Sequence, residues 1–199
     1  YFELDFLIDK DNGEIYLGEL NPRITGASSI TNHAAFAMGD APLHLFHMLE
    51  WMDQPYTLGV GALNRRWAQA ENIDSWGQMV IKHTQDDIRR VIEAPRSGIW
   101  RMRPDGSIHF WRMDTHRRYV EQENEAFFLR ITRVGDWLYE GADIGILVMR
   151  GRMMTDDFQL LDRSKKWLNA IKNEYKSVVP GSRSESEKQM LEIGGFKMM

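Results

Sequence analysis

The sequence predicts an α+β fold in which an antiparallel strand pair and helices are followed by a β-rich domain closed by a carboxy-terminal helix. Apolar and polar residues alternate on both sides of Asp11-Asn12-Gly13 and again on both sides of Pro104-Asp105-Gly106, which is the pattern of two β-hairpins. A later segment repeats apolar side chains at helical spacing. We divide the chain into residues 1–56, a β-rich domain over residues 57–179 and a flexible tail over residues 180–199.

Composition limits the classes of function that the chain can have. Of its 199 residues, 43% are hydrophobic and 11% aromatic, which argues against disorder. The net charge of -4 gives no electrostatic reason to expect a nucleic-acid partner. The absence of cysteine excludes disulfides and thiolate chemistry, and no apolar run approaches the roughly 20 residues that a membrane-spanning helix needs. We expect a cytoplasmic protein without nucleic-acid or membrane partners.

The start of the chain is predicted to fold into a hairpin about Asn12, with Gly13 available for the left-handed position of a three-residue loop. The predicted register pairs Glu3 with Asn21, Asp5 with Glu19 and Leu7 with Leu17. Because side chains alternate between the two faces of a strand pair, one face is apolar and carries Phe2, Leu4, Phe6, Ile8, Tyr16 and Leu20. The opposite face gathers Glu3, Asp5, Glu19 and Asn21, with Leu7 and Leu17 beside them.

We interpret the polar face of this hairpin as a platform for a metal ion and a nucleotide. Like charges directly opposite each other, such as Asp5 and Glu19, destabilise a strand pair. A hard divalent cation removes that cost, because Mg²⁺ takes carboxylate and amide oxygens and shares phosphate oxygens. Asn21 is followed at once by a rigid turn and a cation, Pro22-Arg23, which suits a phosphate site. The alternative is a solvated face on an ordinary antiparallel strand pair.

The segment after the hairpin is predicted to turn helical. Residues 24–40 and residues 41–52 indicate two helices, the second with Pro42 in its first turn. Gly26 and Ser28 are candidate substrate-binding residues, since a small residue and backbone N–H groups beside the phosphate site could receive an anion. The alternative is a plain transition from loop to helix.

The domain from residue 57 onward is predicted to be mainly antiparallel sheet. Extended segments are expected at 59–69, 76–84, 125–134 and 142–153, together with the hairpin over 97–115. The segment QDDIRRVIEA indicates a short helix at 85–94, and Gly135-Asp136-Trp137 marks a bend between two strands.

A long amphipathic helix is predicted to close this domain over residues 155–179. Thr155 would cap its start, and the two acidic residues that follow would oppose the helix dipole. Five apolar side chains would face the sheet: Phe158, Leu161, Trp167, Leu168 and Ile171.

The polar face of the first hairpin resembles a known motif. The run from Asp5 through GEIYLGELNPR is similar to the closing strand pair of the ATP-grasp ligases, whose signature ends in Glu-x-Asn-x-Arg. The resemblance implies that Asp5, Glu19 and Asn21 bind the Mg²⁺ or Mn²⁺ ions that hold the phosphates of ATP. It also implies that Arg23 is a catalytic residue, which stabilises charge on the transferring phosphoryl group, and that Leu7 lies against the adenine.

A second resemblance covers roughly residues 95–175 and concerns the carboxy-terminal domain of the biotin carboxylases. The pieces SGIWRMRPDG, WRMDT and DIGILVMRG are similar, in order, to the turn, the Arg-x-acid strand and the Ile-Gly strand of that domain. This resemblance implies that Arg112 faces the active site and binds substrate.

One departure from the biotin carboxylases indicates the reaction. Those enzymes have a glutamate base four residues after the motif arginine, where this chain has Ala27. The form Arg-x-x-Gly is closer to ATP-grasp enzymes that join a small-molecule carboxylic acid to an amine through an acyl phosphate. We expect part of such a ligase, completed by an upstream half in the same polypeptide or in a partner chain. A biotin-carboxylase-like or carbamoyl-phosphate-synthetase-like enzyme, an inactive ATP-grasp scaffold and a homo-oligomeric state stay open.

Overall fold

The structure, a computed structural model, describes residues 2–26, 28, 41–69, 76–114 and 119–180. Within those residues it is a mixed α and β fold with mostly antiparallel sheets and three helices. Most of the predicted helix over 24–40, including Ala27, lies outside the described residues, as does the predicted tail after Pro180.

Ten strands and three helices make up the described chain. The strands are β1 (Glu3–Ile8), β2 (Ile15–Asn21), β3 (Trp76–Lys82), β4 (Arg89–Glu93), β5 (Gly98–Met102), β6 (Ile108–Arg112), β7 (Glu125–Arg130), β8 (Trp137–Leu138), β9 (Asp143–Arg150) and β10 (Lys176–Val178). The helices are α1 (Leu43–Trp51), α2 (Val60–Trp67) and α3 (Asp162–Asn173). The strands form a pair β1-β2, a three-stranded sheet β10-β4-β8 and a five-stranded sheet β3-β9-β7-β5-β6, with antiparallel neighbours throughout.

Among the residues that the structure describes, the hydrophobic core lies entirely after residue 75. Trp167 and Ile171 of α3 are buried in one cluster with Phe128 and Leu147 of the five-stranded sheet and Val91 of the three-stranded sheet. Before residue 76, no described hydrophobic side chain is fully buried. The sheets and the helix after residue 75 therefore share a core to which the first hairpin and helices α1 and α2 contribute no buried hydrophobic side chain.

The predicted extended segment at 59–69 is wrong, because these residues form helix α2. Ala62 and Leu63 have high helix propensity, as do the arginines that follow them. Arg65 and Arg66 also occupy the last turn of the helix, where cations complement its dipole. The glycines at the start of the segment concealed this helical preference.

The predicted short helix at 85–94 is also wrong, because strand β4 occupies its second half. Val91 is 1% exposed and lies at the centre of the three-stranded sheet, where β4 pairs with both β10 and β8. Branched residues such as Val91 and Ile92 favour a strand once neighbouring strands are present. Pairing with segments distant in sequence decided the structure here.

The predicted closing helix exists but is shorter than expected. Helix α3 begins after Leu161 and ends at Asn173, and the chain then forms the short strand β10. Thr155 does not cap a helix, since its hydroxyl accepts from the N–H of Gln159 in a turn. Phe158 has a φ of 58° and is 70% exposed, so its predicted contact with the sheet is wrong. The predicted burial of Trp167 and Ile171 is confirmed.

The other predicted strands of the domain are confirmed as β3, β7 and β9, and the second hairpin as β5 and β6. Gly106 has a φ of 84°, and its N–H donates to the carbonyl of Arg103 at 2.9 Å, which closes the predicted turn. In the part of the chain that the structure describes, no helix is both long and apolar enough to cross a membrane.

Candidate functional site

The first hairpin has the predicted register over its polar end. Glu3 pairs with Asn21, and Asp5 pairs with Glu19. The turn spans residues 10–13 and so is one residue longer than predicted, with Gly13 at a φ of 73° and its N–H bonded to the carbonyl of Asp9 at 2.9 Å. Both carboxylates of the Asp5–Glu19 pair are therefore on one face of the strand pair, as the sequence predicted.

The predicted pairing of Leu7 with Leu17 is wrong, because a β-bulge shifts the register after Asp5. Leu7 pairs with Tyr16 instead, and Leu17 pairs with Phe6 on the apolar face. Tyr16, which was predicted on the apolar face, therefore shares the face of the two carboxylates. An isolated glycine within a strand often marks a bulge, and Gly18 was the signal for this one.

The space around Gly18 shows why a glycine suits the bulge. A Cβ atom at this position would lie 3.2 Å from the carbonyl oxygen of Asp5 and 3.3 Å from Cγ of Leu7. Leu7 itself is 65% exposed. The side chain proposed to lie against adenine is thus free of packing against the core and sits beside the carboxylate pair.

Asn21 connects the two strands at the polar end of the hairpin. Its Nδ2 atom donates to Oδ2 of Asp5 at 3.2 Å, and Asn21 is only 7% exposed. This bond leaves the amide oxygen of Asn21 and the second carboxylate oxygen of Asp5 without a hydrogen-bond partner among the described residues. In the same part of the chain, neither Asp5 nor Glu19 has an ion-pair partner.

Glu3 has a different role from the other polar residues of this face. The hydroxyls of Ser28 and Thr25 both donate to its carboxylate. These hydrogen bonds, with that from Ser28 the stronger influence, hold the pKa of the Glu3 carboxyl below its ordinary value. The backbone N–H of Thr25 in turn donates to the hydroxyl of Ser28 at 2.9 Å. Glu3 therefore fixes the turn after the hairpin, and Thr25 is a site residue that the sequence analysis did not identify.

Gly26 lies where this turn meets the β-rich domain. Its carbonyl accepts from Nε2 of Gln78, on strand β3, at 3.0 Å. A Cβ atom at position 26 would meet nothing within 4 Å, so the glycine is not required by packing among the described residues. The backbone of the predicted substrate-binding turn is thus joined to the five-stranded sheet.

Arg23 lies near the carboxylate of Glu3, whereas Arg112 is held elsewhere. Arg23 is exposed just after β2, and its charge contributes to lowering the pKa of Glu3. Arg112 ends strand β6, donates to the carbonyl of Tyr119 at 3.2 Å and stacks over the ring of that tyrosine at 5.0 Å. The contacts described for Arg112 are within its own domain, so the structure does not bring it to the hairpin.

The hairpin presents oxygen atoms of the kind that could hold a cation together with a ligand. The described residues contain no group of three or more histidine, aspartate or glutamate side chains that could hold a metal by themselves. The hairpin instead offers two carboxylates, Asp5 and Glu19, and the amide oxygen of Asn21. Mg²⁺ is usually bound in this way, through one or two carboxylates with water and substrate phosphates completing the octahedron.

Comparisons with protein-family models, with curated proteins and with solved structures give no match for this chain. Any function of this site must therefore be inferred from the chemistry of its own residues.

Proposed function

We propose that this chain carries the Mg-ATP platform of an ATP-dependent ligase that joins a carboxylic acid to an amine through an acyl phosphate. The observation that carries the proposal is the pairing of Asp5 with Glu19, two carboxylates directly opposite each other without a compensating cation among the described residues. Such a pair destabilises a hairpin unless a cation binds there. The pairing thus supports a site for a divalent metal ion.

Asn21 would supply one oxygen ligand to the proposed metal ion. Its amide nitrogen is occupied by Asp5, so its oxygen is the atom left to face a cation. Because Asn21 is nearly buried, its amide is held in place before any ligand arrives. Two carboxylates and an oriented amide oxygen form the donor set that Mg²⁺ takes when it also binds phosphate.

The proposed reaction has two steps. An oxygen of the substrate carboxylate attacks the γ-phosphorus of ATP, and the bond to the β-γ bridging oxygen breaks, with its electron pair leaving on ADP. The amine nitrogen then attacks the acyl carbon, phosphate leaves with the electron pair of the acyl–oxygen bond, and the nitrogen loses a proton. The metal would offset the negative charge of the phosphates.

The residues of the chain contribute binding and charge rather than a nucleophile. Arg23 follows the hairpin directly and is exposed, so its guanidinium can stabilise charge on the transferring phosphoryl group. Leu7 and Tyr16 present an apolar surface on the same face as the carboxylates, as a nucleotide base requires. The hydrogen bonds from Thr25 and Ser28 to Glu3 hold the turn that would receive the acid substrate.

The hairpin also has surface for a further part of the enzyme. Its apolar face, formed by Leu4, Phe6, Ile8, Ile15, Leu17 and Leu20, is between 41% and 67% exposed at every position. A two-stranded hairpin is marginally stable by itself. We propose that an upstream half, in the same polypeptide or in a partner chain, packs on this face and completes the ATP site.

The proposal is tested by phosphate release from ATP in the full-length polypeptide, with a panel of carboxylic acids supplied with and without amines. We expect release only when acid and amine are both present. Asp5→Asn and Glu19→Gln should each lower the rate roughly a hundredfold or more, since each removes a metal ligand. Asp11→Asn, which makes the same charge change in the turn of the same hairpin, should leave the rate unchanged.

Other results would redirect or exclude the proposal. Release that depends on bicarbonate would favour a carboxylase reaction. Binding of Mg-ATP without any release would identify a non-catalytic module. Near-normal activity in Asp5→Asn would show that the metal assignment is wrong.

A further inference from the structure

A cavity in the β-rich domain is lined by cations and polar side chains. It has a volume of about 190 Å³ and lies between the loop after β3, strands β4 and β10, and the end of helix α3. Arg89 and Lys172 contribute positive charge, and His83 and Ser177 contribute further polar atoms. None of the described lining residues is acidic. The cavity shares no residue with the hairpin and is independent of the function proposed there.

Asp87, just outside the lining, holds two of the cavity residues in place. Its Oδ1 atom lies 3.0 Å from Nε2 of His83, and its Oδ2 atom accepts from Nε of Arg89 at 2.6 Å. The hydrogen bonds from His83 and Arg89 lower the pKa of the Asp87 carboxyl, so it stays ionised at neutral pH. Asp87 accepts only from Nε of Arg89, so both terminal nitrogens of the guanidinium are without a hydrogen-bond partner among the described residues.

Lys172 adds a second positive charge that is not neutralised nearby. Among the described residues, its ammonium has no hydrogen-bond or ion-pair partner. Its position in the last turn of α3 complements the helix dipole, but that role does not require a cavity in front of it. Arg89 and Lys172 come from segments far apart in sequence and meet at one opening.

The rest of the wall limits the size of a ligand to a small group. Leu138 and Ile144 are buried and supply apolar surface. The hydroxyl of Tyr175 is directed at the carbonyls of Thr132 and Ile144, at 3.2 and 3.1 Å, so it closes the wall rather than acting as a donor to the cavity. We propose that this cavity binds a small oxyanion, the phosphate or carboxylate group of a molecule of metabolite size. Guanidinium and ammonium groups bind such anions through short charge-assisted hydrogen bonds.

Isothermal titration calorimetry tests this inference with two probes, inorganic phosphate and acetate, in chloride buffer at constant ionic strength. We expect one or both to bind at millimolar concentration or tighter, and the preferred probe identifies the group. Lys172→Gln should weaken binding about tenfold or more through loss of a charged contact. Lys166→Gln is the matched control, because it makes the same change on an exposed face of the same helix.

Amide NMR spectra recorded in the same titrations locate the site. The expected result is a set of shifts at Thr84, Gln85, Lys172 and Ser177 that is present in Lys166→Gln and reduced in Lys172→Gln. The inference is overturned if neither anion binds at tens of millimolar, or if Lys172→Gln binds as tightly as the unmodified chain.

Discussion

The aromatic ring of Phe128 occupies the space that a side chain at Gly145 would need. A Cβ atom on Gly145 would lie 2.4 Å from Cε2 of Phe128 and 2.8 Å from the carbonyl oxygen of Leu129. Phe128, on strand β7 next to β9, is fully buried in the core cluster. The glycine of the Ile-Gly strand is thus explained by packing inside the domain.

Gly145→Ala should therefore destabilise the β-rich domain. Forcing a methyl group into a packed core costs about 2 kcal/mol in the free energy of unfolding, measured by urea denaturation. The same substitution in a Phe128→Leu background should cost less, because the smaller side chain vacates the contested space. Strictly additive effects of the two changes would show that the ring is not the obstruction.

Arg101 and Glu125 form an ion pair whose carboxylate is buried, and the loss of this pair should be costly. Arg101 Nη2 lies 2.8 Å from Oε1 of Glu125, which is 2% exposed and also accepts from the N–H groups of Glu121 and Gln122. Burial raises the pKa of Glu125, but the donors around it outweigh burial and hold that pKa below its ordinary value. Arg101→Met leaves a buried charge unpaired and should cost about 3 kcal/mol of unfolding free energy.

The exposed pair of Lys82 and Asp143 provides the comparison for this prediction. Its two side chains are 54% and 45% exposed and are 2.7 Å apart, so solvent screens their attraction. Lys82→Met should cost less than about 0.5 kcal/mol by the same measurement. Equal costs for the two variants would contradict the assigned difference in burial.

The turn after the first hairpin should loosen in acid. The pKa of Glu3 is lowered in the folded chain, so the unfolded turn binds the proton more readily. The stabilisation is complete above the unfolded-state pKa and is lost as the pH falls through the lower, folded-state pKa. Amide NMR shifts of Thr25 and Ser28 should titrate with a midpoint below the ordinary range of glutamate, and Glu3→Gln should abolish that step. A midpoint at the ordinary glutamate value would show that Ser28 and Thr25 do not stabilise the ionised carboxylate of Glu3.

Tyr175 should resist ionisation when the other tyrosines titrate. Burial, the main cause, raises its pKa far above that of an ordinary tyrosine. In absorbance titrations of the folded chain, Tyr175→Phe should leave the signal below pH 11 unchanged. The same variant loses one hydrogen-bond donor facing two carbonyls and should cost about 1 to 2 kcal/mol in stability. A smaller absorbance change in the variant at pH 10 would show that Tyr175 is accessible.

Local signals in the sequence were sufficient for much of this structure. Turn residues located both hairpins, and alternation located β3, β7 and β9, because these features depend on neighbouring residues. Strand β4 was missed because its pairing partners, β10 and β8, lie more than forty residues downstream. Helix α3 was predicted too long because its apolar spacing continues into a turn that Phe158 enters with positive φ.

The candidate site likewise contains features that local sequence signals predicted and features that they did not. The pairing of Asp5 with Glu19 was predicted by counting from a three-residue turn, but it holds because the bulge at Gly18 offsets the additional residue of the actual turn. Two sets of hydrogen bonds at the site were not predictable, because they join segments that no sequence pattern connects. Glu3 accepts from Thr25 and Ser28, and Gln78 donates to the carbonyl of Gly26. The face on which Tyr16 lies depends on the bulge at Gly18. An isolated glycine is a sign of a bulge, but the predicted register did not include one.

Because the first hairpin lies outside the hydrophobic core, substitutions in the hairpin and in the core should have different effects in the cell. Substitutions at Asp5 or Glu19 alter exposed positions on a hairpin that contributes no hydrophobic side chain to the core. Alleles with changes there should yield normal amounts of protein in the cell, so a mutant phenotype would report on the proposed metal site and not on folding. Alleles with changes at Phe128, Gly145 or Trp167 should instead act by lowering abundance.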